Sequence, residues 1–274
     1  MDFLFAVFLG IVEGITEFLP ISSTGHLIVA GAPFGYTADN YATFFISIQL
    51  GAILAVCWEY RARLIHVALT LHTSSASRRL IVNLLVAMLP ASIVGVLLKE
   101  TLEHYLFAPV PVACALIVGA IVIFIAEKRY RRSANAVRIQ STDDIRWTDA
   151  LKVGLAQVFA LIPGTSRSGS TIIGAMLFGF SRVAATEFSF FLAIPVMFAA
   201  TFYSLWKDGK MLSSLHDSLF LAVGFVFAFI SAFFCVRWLL RYISCHDFIP
   251  FAWYRIGFGV FILVTWYANV IVWQ

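Results

Sequence analysis

Apolar residues run in long blocks along this chain, and most of the polar positions fall between them. A helix needs about 20 apolar residues to cross the hydrocarbon core of a bilayer. Six blocks are long enough: roughly 42–60, 80–98, 109–126, 184–206, 218–240 and 250–273. Two further blocks are broken too early. Block 3–34 is interrupted by Glu13, Glu17, Pro20 and the run Ser22-Ser23-Thr24-Gly25. Block 150–179 is interrupted from Pro163 to Ser170. Each predicts two short helices meeting at a polar turn, a re-entrant hairpin. Non-helical backbone at membrane depth survives only where protein buries it or water wets it. Each turn is therefore a candidate site.

Sliding the chain on itself by 144 positions exposes a repeat. Gly10 meets Gly154, Glu13 meets Gln157, Gly25 meets Gly169, Ile28 meets Ile172, Phe34 meets Phe178, Gly35 meets Gly179 and Phe44 meets Phe188. Pro20 meets Pro163 with a one-residue slip, which pairs Ser22-Ser23 with Thr165-Ser166 and Thr24 with Arg167. The expected organisation is a first unit over 1–127, a basic linker over 128–147 and a second unit over 148–274. Each unit is one hairpin (3–34 or 150–179) plus three spans. Three is odd, so the second unit must be inverted. The expected fold is an all-α polytopic membrane protein of two inverted repeats, an architecture shared with secondary transporters.

Composition supports the bilayer as solvent. Hydrophobic residues make up 61% and charged residues 12%, against roughly 25% charged in soluble domains. Mean hydropathy is +0.91. The net charge of +4 comes with no basic, aromatic-interleaved stripe, so nucleic acid is not an expected partner. The four cysteines are widely spaced and read as small core residues. No basic n-region precedes the first apolar block, and no cleaved signal is expected. In the expected topology one side collects Arg61, Arg63, Arg78, Arg79, Lys128, Arg129, Arg131, Arg132, Arg138, Arg146, Lys152, Arg182, Arg237 and Arg241, and the other only Lys99, Lys207 and Lys210. By the positive-inside rule the 128–147 linker is cytoplasmic and both termini are outside. The first hairpin then enters from outside and the second from the cytoplasm, so their tips can meet near the middle. Trp58, Tyr60, Trp206 and Trp273 stand near span ends, as interfacial anchors do.

The first hairpin carries Glu13 and Glu17, four apart and so on one helix face. Acidic residues inside a membrane helix are costly. Facing a cavity, such a pair can hold a divalent cation, or one member can act as a base; lying on the surface, both would simply be solvated. Ser22 or Ser23 stands where the second short helix should begin, as a plain cap or as part of an anion site. His26 lies about one turn beyond Ser23 and can share its space. The second hairpin offers Thr165, Ser166, Arg167, Ser168 and Gly169. Arg167 has no acid nearby in sequence, so it needs a glutamate from the other hairpin or an anionic ligand. Gln49, Asn83, Glu187 and Arg255 are further embedded polar residues, and Glu187 with Arg255 could form a buried pair.

The run Glu13-Gly-Ile-Thr-Glu17-Phe-Leu-Pro-Ile-Ser-Ser-Thr-Gly-His26, the run Pro163-Gly-Thr-Ser-Arg167-Ser-Gly-Ser170, Ile48-Gln49-Leu50-Gly51 and Ala185-Thr186-Glu187-Phe188-Ser189-Phe190 together resemble the undecaprenyl pyrophosphate phosphatase, or bacitracin-resistance protein, family. The resemblance covers essentially the whole chain. It implies a bacterial inner-membrane enzyme that hydrolyses undecaprenyl pyrophosphate to the monophosphate carrier for cell-wall synthesis. It also implies a divalent cation, Mg²⁺ or Ca²⁺, with Glu13 and Glu17 as its expected ligands. The family's essential positions fall on Glu13, Glu17, Ser23, His26 and Arg167. Ser22, Thr24, Thr165, Ser166, Ser168 and Gly169 are the expected phosphate-binding set around Arg167. Membrane lipids are the expected surroundings, and a homodimer is allowed.

Two mechanisms stay open here: attack by Ser23, with Glu17 or His26 as its base, or direct attack by an activated water. The other lipid-phosphate phosphatase superfamily does not fit, since Lys-x6-Arg-Pro is absent and Ile173 stands where its histidine should follow Ser166-Arg167. The rival from another functional class is a polyprenyl-phosphate transporter or flippase, suggested by the inverted repeat.

Overall fold

A computed structural model describes residues 2–32, 38–106, 108–132, 137–208 and 215–268. Eleven helices account for almost all of them: α1 (Asp2–Thr16), α2 (Ser23–Gly31), α3 (Ala38–Glu59), α4 (Arg61–Thr70), α5 (Ser75–Leu106), α6 (Pro109–Arg132), α7 (Trp147–Val158), α8 (Arg167–Leu177), α9 (Arg182–Asp208), α10 (Leu215–Cys245) and α11 (Ile249–Tyr267). The β-structure among the described residues is one isolated bridge, Ile139 to Phe180. Phe34, Gly35, linker positions 133–136, Lys210 and the end of the last span with Trp273 lie outside the described residues, as do the side chains of Lys99 and Lys207.

The two broken blocks form α1 with α2 and α7 with α8. Among the described residues five helices are long and apolar enough to cross a membrane: Ser75–Leu98, Pro109–Arg132, Arg182–Tyr203, Ser218–Cys245 and Ile249–Tyr267. The sixth span is bent. Phe44–Glu59 of α3 continues after Tyr60 into α4 at an angle of 76°. The expected span 42–60 thus continues into a further helix, α4, that hydropathy alone does not mark.

The first helix of each hairpin packs along a long span from the other part of the chain: α1 lies along α10, and α7 lies along α5. Both crossings are made at glycines, and at matched ones. A Cβ on Gly10 would strike the carbonyl oxygen of Gly224, and a Cβ on Gly154 would strike that of Ala87. Without a hydrophobic drive between helices in lipid, such close backbone approach supplies the packing. The buried core surrounds the hairpin turns, where Phe18 meets Phe190 edge-on at 5.2 Å between ring centres.

Ion pairs fasten one end of the bundle. Arg182 grips Glu127 at 3.0 and 2.5 Å and joins α9 to α6. Arg237 reaches Glu59 at 2.5 Å and joins α10 to α3. Arg131 pairs with Asp247, Arg63 with Asp143, and Arg138 with Asp149. Asp149 and Arg138 lie outside the spans. Burial alone would raise the Asp149 carboxyl, but hydrogen bonds from Arg138 and from the Arg146 N–H leave it below its usual value.

Candidate active site at the two hairpin tips

Both hairpins turn on a strained serine. Ser22 (φ 71) and Ser166 (φ 74) are the only non-glycine residues with positive φ among those described. Such backbone costs about 1–3 kcal/mol and is kept only where its surroundings over-determine it. Each serine caps the helix that follows. Ser22 Oγ accepts from the Gly25 N–H at 3.4 Å, and Ser166 Oγ accepts from the Gly169 N–H at 3.1 Å.

This geometry corrects the register. The offset of 144 holds through the turns, so Ser22 matches Ser166, Ser23 matches Arg167 and Thr24 matches Ser168. It is the prolines that shifted: Pro20 stands two residues before its cap, and Pro163 three before. Ser23 and Arg167 are thus equivalent positions, each the first residue of its helix.

The two equivalent residues converge on one carboxylate. Ser23 Oγ donates to Glu17 Oε2 at 2.6 Å, and Arg167 Nη2 donates to Glu17 Oε1 at 2.9 Å. Arg167 Nη1 also donates to the Ser189 carbonyl at 3.2 Å. Glu17 and Ser23 are buried, while the Arg167 side chain keeps 14% of its exposure. Arg167 therefore finds the glutamate of the other hairpin. The first N–H groups of α2 and α8, on Ser23, Thr24, Arg167 and Ser168, have no acceptor within their own helices. Two such N-termini beside an arginine suit an anion.

Both ring nitrogens of His26 are bonded to groups other than the Ser23 hydroxyl. Its Nδ1 lies 2.7 Å from the Ser22 carbonyl, which can only accept, so in the neutral ring Nδ1 carries the proton. Nε2 then accepts from the Tyr254 hydroxyl at 2.6 Å. Phe258 stacks on the imidazole with ring centres 4.0 Å apart. The base bonded to Ser23 is Glu17.

The remaining candidates have distinct placements. Ser168 Oγ donates to the Leu19 carbonyl at 2.8 Å, tying one hairpin to the other, and lies 3.0 Å from Ser166 Oγ. Thr24 and Thr165 are half-buried, and the Thr165 carbonyl accepts from Arg255 at 2.9 Å. Glu13 is fully buried, and neither carboxylate oxygen has a hydrogen-bond partner. The charges of Glu17 and Arg167 both act on it. An unpaired buried carboxylate is costly, and a hard cation would satisfy it. Among the described residues no three Asp, Glu, His or Cys side chains gather as a ready cage. Two glutamates with substrate phosphates and water completing the shell is how Mg²⁺ is commonly held. The donor set fits a divalent cation on those terms.

The pairing of Glu187 with Arg255 is not formed. Glu187 lies among Arg63, Asp143 and Tyr60, whereas Arg255 bonds only backbone carbonyls. Sequence reasoning missed Tyr254 altogether. Its signal was present: Tyr254-Arg255 is a polar pair inside an apolar helix.

The family model described as bacitracin resistance protein BacA matches residues 6–261. The chain is 57% identical over 277 residues to undecaprenyl-diphosphatase 1 of Paraburkholderia xenovorans (strain LB400), covering 100% of this chain and 99% of the relative. It is 56% identical over 266 residues to undecaprenyl-diphosphatase of Nitrosospira multiformis, covering 97% and 96%. It is 54% identical over 285 residues to undecaprenyl-diphosphatase of Cupriavidus metallidurans, covering 98% and 97%. With the match running over nearly all of its helices and both hairpin tips, the chain belongs to the bacitracin resistance protein BacA family.

Proposed function

We propose that this membrane protein is an undecaprenyl-diphosphatase, which hydrolyses undecaprenyl diphosphate to undecaprenyl phosphate and inorganic phosphate. The observation that carries the reading is the convergence of Ser23 and Arg167 on Glu17. A hydroxyl bonded to a carboxylate is a nucleophile with its base in place. The arginine and the first N–H groups of the two helices beside it oppose the charge of a transferring phosphoryl group. The full-length relatives carry the same activity in their names.

In this reading the polyprenyl tail lies among the spans and the diphosphate reaches the tips. Ser23 Oγ attacks the terminal phosphorus, and its proton passes to Glu17 Oε2. The bond from phosphorus to the bridging oxygen breaks, and undecaprenyl phosphate leaves with the electron pair. Water then attacks the phosphoserine phosphorus, and the bond to Ser23 Oγ breaks with its electron pair. Oγ takes back the proton held by Glu17 Oε2, and inorganic phosphate leaves carrying the water's oxygen and one of its protons, the other passing to solvent. Arg167 shares its guanidinium between Glu17 and the phosphate oxygens, and the N–H groups of Ser23, Thr24, Arg167 and Ser168 are the further donors. Glu13 and Glu17 would hold Mg²⁺ or Ca²⁺, which supplies positive charge to the phosphate oxygens when bound. His26, locked by Ser22 and Tyr254, lines the site. The protein would reside in the bacterial inner membrane with the 128–147 linker in the cytoplasm. The two halves would be inverted repeats.

Phosphate release from undecaprenyl diphosphate by the purified protein in detergent tests the activity, since micelles hold no transmembrane gradient. A protein that only transported the lipid would release none. Ser23→Ala should lose at least about 10³-fold in kcat, the scale seen when a nucleophile is removed from a working unit. Near-normal turnover in that variant would transfer the attack to water.

A further inference from the structure

Among the described residues Arg255 is the largest fully buried side chain, at 1% exposure, inside a mostly apolar helix. Its guanidinium has five N–H donors, and all five are used. Nε donates to the Leu116 carbonyl at 3.0 Å, Nη1 to Pro20 at 3.1 Å and Thr165 at 2.9 Å, and Nη2 to Ala115 at 3.1 Å and Gly164 at 3.1 Å. No carboxylate shares them. Burying a cation among carbonyl dipoles alone is expensive, so the position demands a reason.

The acceptors supply it. Pro20 lies in the break of the first hairpin, and Gly164 and Thr165 lie in the break of the second. Where a helix is interrupted, carbonyls lose their helical partners and must find others in a medium without water. One planar fork satisfies three of them at once and ties both breaks to α6. The surroundings are cut to fit the guanidinium. A Cβ on Gly119 of α6 would collide with Nη2 and stand 2.6 Å from Cζ. Gly164, at φ +92, turns its carbonyl toward the fork in a conformation that other residues rarely adopt.

The breaks that Arg255 joins lead directly into Ser22-Ser23 and Ser166-Arg167. The relative placement of the two helix N-termini decides whether Ser23 and Arg167 can meet on the same carboxylate. We propose that Arg255 is a positioning residue for the phosphatase reaction: it holds the carbonyls before both N-termini and so sets the nucleophile and base of one hairpin within reach of the phosphate-holding arginine of the other. This rests on the phosphatase reading for its kinetic arm only. Lysine cannot substitute, since three tetrahedral donors cannot serve five acceptors lying around one plane.

Two variants test it. Arg255→Lys keeps the charge and loses the fork; Gly119→Ala keeps Arg255 and crowds the fork out. Each would be assayed for turnover of undecaprenyl diphosphate in detergent and for amide hydrogen exchange. In both, kcat should fall about 10- to 100-fold, the cost of misplacing reacting groups by an ångström or so, with KM for the lipid within about threefold. Amides at 17–26 and 162–170 should exchange about tenfold faster or more, while those of α3 and α10 keep their protection. Wild-type kcat in Arg255→Lys would overturn the proposal. So would lost turnover with tip exchange unchanged, and so would exchange rising equally through α3 and α10, which marks a general role in folding. Should the wild-type protein release no phosphate, the phosphatase reading fails, and the exchange arm still decides whether Arg255 couples the tips.

Discussion

Replacing Glu17 by glutamine keeps the size of the side chain and both of its polar atoms, and removes only its charge and basicity. Two contacts change. Ser23 Oγ, 2.6 Å from Glu17 Oε2, can still donate to the amide oxygen, but that oxygen cannot take the proton away. Loss of a positioned base costs about 10²–10⁴-fold, which is about 3–5 kcal/mol of activation free energy. Arg167, with its side chain 14% exposed, loses its counter-charge in the free enzyme. Breaking a buried pair in this way costs about 3–5 kcal/mol at full burial, and less here because part of the guanidinium is solvated. A bound diphosphate returns the missing negative charge, so at saturating Mg²⁺, which offsets the loss of Glu17 as a cation ligand, the variant should hold its substrate at least as well as wild type. The expected result for Glu17→Gln is a kcat lower by about 10²–10⁴-fold with KM unchanged or lower, measured by phosphate release in detergent over a range of lipid concentrations. A kcat within about tenfold of wild type, or a raised KM with kcat intact, would refute the base assignment.

Other outcomes follow from neighbouring contacts. Tyr254→Phe removes the donor to His26 Nε2 and keeps the ring that stacks with it, so kcat should fall by about 3- to 20-fold, roughly the worth of one hydrogen bond left unmade; a variant indistinguishable from wild type would make that bond incidental. Glu13→Gln should weaken divalent-cation binding more than it weakens substrate binding, seen as a shift of the Mg²⁺ activation curve to higher concentration after chelation, whereas full activity in excess chelator would remove the cation from the mechanism. Gly14→Ala would place a methyl group against Ser231 Oγ and the α10 backbone at Ala228 and Ala232; overpacking of this kind costs about 1–3 kcal/mol and should lower the melting temperature in detergent. A Cβ on Gly257 meets nothing within 4 Å, so Gly257→Ala should leave the melting temperature level or raise it.

The hairpins were legible because Pro, Gly, Ser and Thr cluster where apolar runs should have continued, and the spans were legible from length and hydropathy. The candidate residues of the first hairpin were also readable, since Glu13 and Glu17 have no cheap reason to sit in an apolar helix. What stayed hidden depends on backbone placement. Proline is a conspicuous marker, and aligning Pro20 with Pro163 put Ser23 opposite Ser166. The conserved geometry is the positive-φ cap, which no residue type announces when serine fills it. Charge suggests opposite charge, so Glu187 stood as a possible partner for Arg255; its partners are carbonyls, three of them available only because a helix breaks there. The bend at Tyr60 was missed because Arg61 and Arg63 look like the end of a span, although they begin an amphipathic helix that pairs with the loop at Asp143.

Docking α1 on α10 has a consequence for the order of assembly. Gly10 finds its seat against Gly224, near the far end of the chain, so the first hairpin leaves the ribosome long before its packing surface exists. Contacts this distant in sequence are slow to form. Through most of synthesis Glu13 and Glu17 must remain near water, or shielded by the insertion machinery, because Arg167 and α10 have yet to appear. A chain stopped before α10 would carry every residue of the Ser23–Glu17–Arg167 contact and still lack the α10 surface along which its first helix packs. Completion of the active site is thereby tied to completion of the chain.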